Sequence, residues 1–194
     1  METKTRCAWC EKDDLYRNYH DTEWGVPVYD DQKIFEFLIL ETFQAGLSWY
    51  TVLAKRENFR KAFDNFDYQK VANYSEEKIE LLKQDAGIIR NGLKIKAAVT
   101  NANAFMQVQQ EFGTFSDYIW GFVNGKPIDN KHKTLKNVPA TTEISDKLSK
   151  DLKKRGFKFV GSTVVYAHMQ ATGMVNDHVE ECWTRNKISD GTSE

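Results

Sequence analysis

The sequence is poor in the residues that interrupt helices. Its 194 residues include only 3 prolines and 11 glycines. Proline cannot continue a helix, and glycine weakens one. The composition therefore favours an all-α protein, and the length suits one domain with a core of its own.

Long hydrophobic runs and a disulfide framework are also absent. No apolar stretch approaches the ~20 residues that a membrane-spanning helix needs, and the N-terminus has no signal-peptide segment. The 3 cysteines are too few for a disulfide scaffold and indicate a reducing compartment. We expect a cytoplasmic protein without a membrane partner.

Charge of one sign does not predominate either. The formal net charge is -1, with 28% charged and 41% hydrophobic residues, as in ordinary globular proteins. A nucleic-acid partner must therefore be inferred from local clusters of charge.

The most informative stretch is an apolar run over residues 33–49. It follows Asp30 and Asp31, two suitable N-cap residues, and so predicts a helix that begins there. Glu36 is expected near solvent. By their three- and four-residue spacing, the residues on the inward face are Ile34, Leu38, Glu41 and Ala45.

This pattern buries the carboxylate of Glu41. A buried carboxylate is costly without a partner, and this face of the helix has no Lys or Arg. Either a distant residue pairs with Glu41, or the acid awaits a ligand. Structural buried acids are the more frequent case, so other parts of the sequence must decide.

A second face is aromatic. Asp13 or Asp14 can cap a short helix from Leu15 to Glu23. Five residues on or just after it recur at helical spacing and share one side: Tyr16, Tyr19, His20, Glu23 and Trp24. A packing face and a binding face are equally compatible with this pattern.

A helix, a glycine-containing turn and a long helix are predicted over residues 76–110. Hairpin amides and the N-terminus of a following helix can donate to a phosphate, which suggests a DNA-binding helix-hairpin-helix. Arg90, Lys94 and Lys96 add positive charge behind the turn.

Residues 147–158 contain six cations and one acid. Such a run is typical of a solvated face but also suits a phosphate backbone. We expect residues 160–171 to be helical.

Metal-ligating residues occur only near the two ends of the chain. His178 and Cys182 are four residues apart and can share one ion. Cys7, Cys10 and His20 offer the further ligands that a closed zinc site requires. The spacing leaves open whether Cys7 acts with Cys10 or with His20. Without a metal, these residues would be buried thiols and surface histidines.

Longer blocks carry a more specific pattern: Tyr16–Pro27, Leu40–Trp49, Asp85–Arg90, Leu148–Gly161 and Val175–His178. In this order they resemble the bacterial 3-methyladenine DNA glycosylase I family, over nearly the whole chain from Cys7 to Cys182. The resemblance implies an all-α helix-hairpin-helix DNA glycosylase fold for the single domain predicted over residues 1–183. It implies one structural zinc ion that joins the termini through Cys7, His20, His178 and Cys182. The sequence after Trp183 itself predicts a disordered tail over 184–194.

The resemblance also implies residue roles. Glu41 corresponds to the acid that hydrogen-bonds the extruded base and acts in catalysis. The implied base pocket contains Tyr16, Tyr19, Trp24, Glu41 and Trp49. The implied DNA contacts are Gly46 and Leu47, which enter the duplex, with Gly87, Ile88, Arg90, Lys153, Lys154 and Arg155. The family lacks a catalytic aspartate after the hairpin, and nothing after Asn91 clearly fills that role, although Asp117 could be mistaken for it.

The implied activity is base-excision repair. A monofunctional hydrolysis would cleave the N-glycosidic bond of 3-methyladenine in alkylated double-stranded DNA, releasing the free base and leaving an abasic site. A monomer is the default expectation. One alternative is a non-catalytic damage-binding module of the same fold. Another is a zinc hydrolase or deaminase, since His178-Val179-Glu180 has the His-x-Glu spacing but lacks a Pro-Cys-x-x-Cys partner.

Overall fold

The computed structural model describes residues 4–44 and 46–185. Most of this part is helical, as the composition predicts. In chain order the helices are α1 (Asp14–Thr22), α2 (Asp31–Gln44), α3 (Trp49–Ala54), α4 (Arg56–Ala62), α5 (Tyr68–Ala72), α6 (Glu76–Gln84), α7 (Gly92–Phe112), α8 (Phe115–Gly121), α9 (Glu143–Lys154) and α10 (Ser162–Ala171). None of the helices in the described ranges combines the length and hydrophobicity that crossing a bilayer requires.

Two short strands were not predicted. Strands β1 (Ile128–Asp129) and β2 (Val175–Asn176) pair in parallel, with Ile128 opposite Val175. Both strands are too short to leave an alternating pattern in the sequence. Their pairing attaches the long loop after α8 to the segment that leads into His178.

The helix boundaries follow from capping side chains. The backbone amide of Tyr16 donates to Asp13 at the start of α1, and that of Lys33 donates to Asp30 at the start of α2. Further helices begin after capping residues that the sequence offers at their starts, Ser48, Asp67, Ser75, Asn91, Thr114 and Thr142. Such caps satisfy amide groups that have no partner within the helix.

Helix α2 is the centre of the molecule. Its residues 34–43 are all buried, because α3, α7, α8 and α10 pack around it. The prediction that Glu36 lies near solvent is therefore wrong. Glu36 is 7% exposed, and Lys33 and Arg60 pair with it at 3.1 and 2.8 Å. A helix enclosed on every side has no wet face for a carboxylate.

The α6–turn–α7 unit lies against α3 and α4. The ammonium group of Lys55 donates to the backbone carbonyls of Ala86 and Gly87, at 3.1 and 3.2 Å. The amide of Gly87 donates to the Asp85 carboxylate at 2.7 Å. These bonds fix the turn, while the side chain of Ile88 enters the core.

The two ends of the described chain meet. The amide of Trp183 donates to the carbonyl of Thr5 at 3.0 Å, and Arg185 pairs with Asp129 at 2.6 Å. Thr184 is buried. The predicted tail of 184–194 therefore begins too early, and residues 186–194 lie outside the described residues.

The end of α10 packs closely against the segment after α1. The amide of Gly25 donates to the carbonyl of Gln170, and that of Val28 to the carbonyl of Thr172, both at 3.0 Å. Gly173 has a φ of +70°, and a Cβ added there would lie 2.4 Å from the carbonyl carbon of Val26. Only glycine fits this approach.

We expect Gly173→Ala to destabilise the protein by about 2–4 kcal/mol, since overpacking and a left-handed backbone conformation at a non-glycine residue each cost about 1–3 kcal/mol. Gly121→Ala is the matched control, because Gly121 lies in α8 and a Cβ there would meet nothing within 4 Å. Urea denaturation of both variants measures the difference. Equal stabilities would contradict the close contact at Gly173.

Candidate active site and metal centre

A cavity of about 340 Å³ opens beside α1, α2 and α10. Its lining residues are Trp9, Tyr16, Tyr19, Trp24, Glu41, Gln44, Trp49, Leu135, Val138, Ala167 and Gln170. All five residues predicted for a base pocket are among them, and their roles stay predictions. The remaining lining residues were not predicted from the sequence. Gln44 is one helical turn after Glu41 and could have been found from spacing, whereas Trp9 and Gln170 approach from distant parts of the chain.

The carboxyl group of Glu41 faces this cavity without compensation. Glu41 is 3% exposed, and its Oε2 atom has no hydrogen-bond partner among the described residues. Burial raises the pKa of Glu41 to about 8, because the charged form loses hydration and no cation replaces it. The guanidinium of Arg56, 5.8 Å from the centre of the Tyr19 ring, is engaged by Glu23 with two contacts of 2.7 Å.

Trp49 is a second unsatisfied group in the cavity. Its buried indole nitrogen has no partner among the described residues. An orphaned buried donor or acceptor costs about 1–3 kcal/mol. One acceptor and one donor left unpaired in the same cavity indicate a site built for a polar ligand.

Aromatic rings form the walls. Trp9 contacts Tyr16 and Trp24 edge-on, with ring centroids 4.8 and 5.0 Å apart. Tyr19 lies 5.4 Å from Trp49. These contacts hold the rings in fixed orientations, so the cavity can accept a flat ring system with little rearrangement.

The residues after α2 present an apolar tip next to the cavity. Gly46 has a φ of +84°, and the amide of Leu47 donates to the carbonyl of Gln44 at 2.6 Å. Leu47 is 43% exposed. Ala45, predicted on the inward face, lies outside the described residues.

The other residues predicted to contact DNA differ in accessibility. Arg90, Lys153 and Lys154 are exposed. Ile88 is buried, so only its backbone could reach a ligand. Arg155 is held by Glu111 and Asp151, each at 2.6 Å, which reduces its availability for a phosphate.

The candidate metal ligands come together. Cys7, His20, His178 and Cys182 are all buried, and their ligand atoms lie within 4.8 Å of one another. The thiol of Cys10 instead donates to the carbonyl of Cys7 at 3.1 Å, because the short turn at Ala8–Cys10 directs it there. Of the two pairings left open by spacing, the structure forms Cys7 with His20.

Hydrogen bonds orient both histidines for a metal. Nδ1 of His20 faces the carboxylate of Asp21 at 2.8 Å, and Nε2 of His178 faces the carbonyl of Trp24 at 3.0 Å. The ring nitrogen that donates such a bond carries the proton. The other nitrogen of the neutral ring, which faces the cluster, is then free to bind a metal. The cluster could hold one metal ion.

The position of Glu180 argues against the zinc deaminase alternative. Glu180 is exposed, whereas the general base of a deaminase would lie beside the metal.

Comparison with known proteins shows the family to which this chain belongs. The methyladenine glycosylase family model matches residues 9–186. The chain belongs to the methyladenine glycosylase family. It is 55% identical to DNA-3-methyladenine glycosylase 1 of Escherichia coli over 91% of this chain and 95% of the relative. It is 49% identical to DNA-3-methyladenine glycosylase of Haemophilus influenzae over 92% and 96% of the two chains.

Solved structures have the same fold. A crystal structure of 3-methyladenine DNA glycosylase I superposes with a TM-score of 0.90 at 50% identity, covering 92% of this chain and 98% of the other. A structure described as the basis of 3-methyladenine recognition by the Staphylococcus aureus enzyme has a TM-score of 0.91 at 36% identity, covering 95% and 98%. The predicted family is confirmed, and with it the prediction of a base-excision DNA glycosylase.

We expect Glu41→Gln to stabilise the ligand-free protein, increasingly as the pH rises from about 5 to 8. The pKa of folded Glu41, about 8, exceeds the usual value of 4.5 for a glutamate side chain. Between these values the folded state holds a proton that the unfolded state has lost. Wild-type stability should therefore fall by up to roughly 1.4 kcal/mol per pH unit, levelling off above pH 8.

Urea denaturation of both proteins across this pH range measures the effect. Glu36→Gln is the control on the same helix, and it should destabilise because Lys33 and Arg60 would lose their partner. A difference between wild type and Glu41→Gln that does not vary with pH would contradict an uncompensated acid.

Proposed function

We propose that this protein removes 3-methyladenine from alkylated double-stranded DNA by hydrolysing the N-glycosidic bond, which releases the free base and leaves an abasic site. The observation that carries the proposal is the unpaired Glu41 carboxyl at an aromatic cavity in a member of this family.

Glu41 selects a positively charged base. Methylation at N3 makes adenine cationic while it remains attached to the sugar. A carboxylate and the faces of aromatic rings both attract a cation, whereas neutral adenine gains nothing from the charge. Stacking alone contributes about 1–3 kcal/mol per base and does not distinguish among bases. The discrimination therefore depends on Glu41.

Leu47 supports extrusion of the base. A base inside a duplex must be flipped out before it can enter a cavity, at a cost of a few kcal/mol. An apolar side chain can occupy the gap left in the stack. Leu47 is exposed at the rim, and Gly46 supplies the left-handed turn that projects it.

The leaving group is activated by its own charge. A cationic base departs with less assistance than a neutral one, so the bond can loosen toward an oxocarbenium-like state without a catalytic aspartate. No lysine lines the cavity in the part of the chain that the structure describes. Water is therefore the final nucleophile, and the reaction is monofunctional.

The α6–turn–α7 unit acts as a helix-hairpin-helix that binds the phosphate backbone. The turn around Gly87 is fixed by Lys55, and Asn91 caps the N-terminus of α7. Helix N-termini and loop amides attract phosphate. Arg90 adds an exposed cation, while Lys153 and Lys154 extend the positive surface and Arg155 orders it through its ion pairs.

The metal is one structural zinc ion. Two cysteines and two histidines form the ligand set that suits tetrahedral zinc, and four protein ligands leave no position for water. The ion would hold the chain ends together. The enzyme acts as a monomer in the cytoplasm.

We expect Glu41→Gln to lose at least about 100-fold in excision while retaining most of its duplex affinity, because only the base contact changes. Methylated DNA is incubated with each protein, and released 3-methyladenine is measured. Glu36→Gln, on the same helix but outside the cavity, should retain excision while folded. Equal release by Glu41→Gln and wild type would contradict the role of Glu41, and DNA binding without release by wild type would favour a non-catalytic module.

We expect one zinc per chain, retained in Cys10→Ser and lost in Cys182→Ser. Losing a structural metal costs several kcal/mol, and 1 kcal/mol corresponds to about 2–4 °C at this length, so chelation should lower the Tm by about 10 °C or more. Metal analysis and thermal denaturation measure both effects. A metal-free protein that stays fully stable but inactive would instead indicate a catalytic zinc.

A further inference from the structure

Among the described residues that line the cavity, Gln170 alone has a side chain that is hydrogen-bonded to a buried carboxylate. Its Nε2 atom donates to Oδ2 of Asp177 at 2.8 Å. Asp177 is 1% exposed and also accepts from Asn130 and from the hydroxyl of Tyr166, each at 2.6 Å. His132 lies 3.2 Å from its other oxygen.

This arrangement determines which way the Gln170 amide points. A carboxylate accepts hydrogen bonds and cannot donate them, so the amide nitrogen must face Asp177 and Oε1 must face away. Oε1 makes no hydrogen bond within the described ranges, although Gln170 lines the cavity. A side chain that lines the cavity and turns its nitrogen toward Asp177 can present Oε1 to the cavity as a further acceptor, in an orientation that Asp177 fixes.

Charge selection leaves a problem that this acceptor can solve. Alkylation also gives cationic guanines, and a carboxylate attracts them as it attracts cationic adenine. The two base types differ at C6, where adenine has an amino donor and guanine has a carbonyl acceptor. A fixed oxygen facing that position would bind the first and oppose the second.

We propose that Gln170 is a specificity-determining residue, whose Oε1 accepts a hydrogen bond from the exocyclic amino group of the bound adenine-type base. The inference rests on the proposed function, because it requires that the cavity bind the excised base. Glu41 then selects for positive charge, and Gln170 selects for the amino group. Asp177 is the positioning residue that prevents the amide from rotating.

A ligand-and-variant cycle tests this assignment. The probes are free 3-methyladenine and free 3-methylpurine, which has hydrogen in place of the amino group. Gln170→Met removes the acceptor and keeps a side chain of similar length. Gln109→Met is the matched control, since Gln109 also donates to an aspartate, Asp31, at 2.6 Å, but lies outside the cavity. Binding is measured by the fluorescence of the tryptophans that line the cavity.

We expect Gln170→Met to bind 3-methyladenine roughly tenfold more weakly, with little change for 3-methylpurine, because only the first ligand offers the donor. Gln109→Met should bind both as wild type does. Equal losses for both ligands in Gln170→Met would indicate packing alone and overturn the assignment, as would no loss for either. If wild type binds neither probe and releases no base from methylated DNA, the proposed function itself fails.

Discussion

An uncompensated carboxyl group in the middle of the most buried helix is the constraint on which the site depends. Helix α2 carries two buried acids, of which one is paired with cations and the other is not. Glu36 is neutralised by Lys33 and Arg60, whereas Glu41, one turn and a half further on, has no cation and a pKa of about 8. The shift from 4.5 corresponds to roughly 5 kcal/mol against the charged form. The fold accommodates this cost because the helices packed around α2 hold Glu41 in place at the aromatic cavity.

The metal cluster and the cavity are parts of one assembly. Tyr19 lines the cavity, and the next residue, His20, is a candidate metal ligand. Asp177 accepts a hydrogen bond from Gln170 and is followed by another candidate ligand, His178. The carbonyl of Trp24, another wall residue, accepts from His178. An ion at the chain ends would therefore fix the aromatic wall and the Gln170 side at once. Under the proposed function, an ion without an open coordination position would influence base recognition through these contacts.

Local features of the sequence predicted the helices well, because caps and turns depend on neighbouring residues. Asp13, Asp30 and Asn91 each cap the helix that follows them. Environment was less predictable. Glu36 was assigned to a wet face because periodicity cannot reveal that helices cover α2 from every direction. Spacing likewise could not decide whether Cys10 or His20 acts together with Cys7, since the direction of the Cys10 thiol depends on a short turn. Trp9 and Gln170 enter the cavity from opposite ends of the chain, and no local pattern connects them.

The raised pKa changes how charge selection operates. At neutral pH the empty cavity holds Glu41 mainly as the neutral acid, so the site does not attract every cation from a distance. A cationic base that enters can replace the bound proton, and its charge then pairs with the carboxylate in a medium of low polarity. A neutral base cannot displace the proton, because it would leave the carboxylate uncompensated again. Under the proposed function, selectivity thus arises from an exchange of one positive charge for another, and the aromatic rings that make the charged form of Glu41 costly in the ligand-free protein strengthen that exchange.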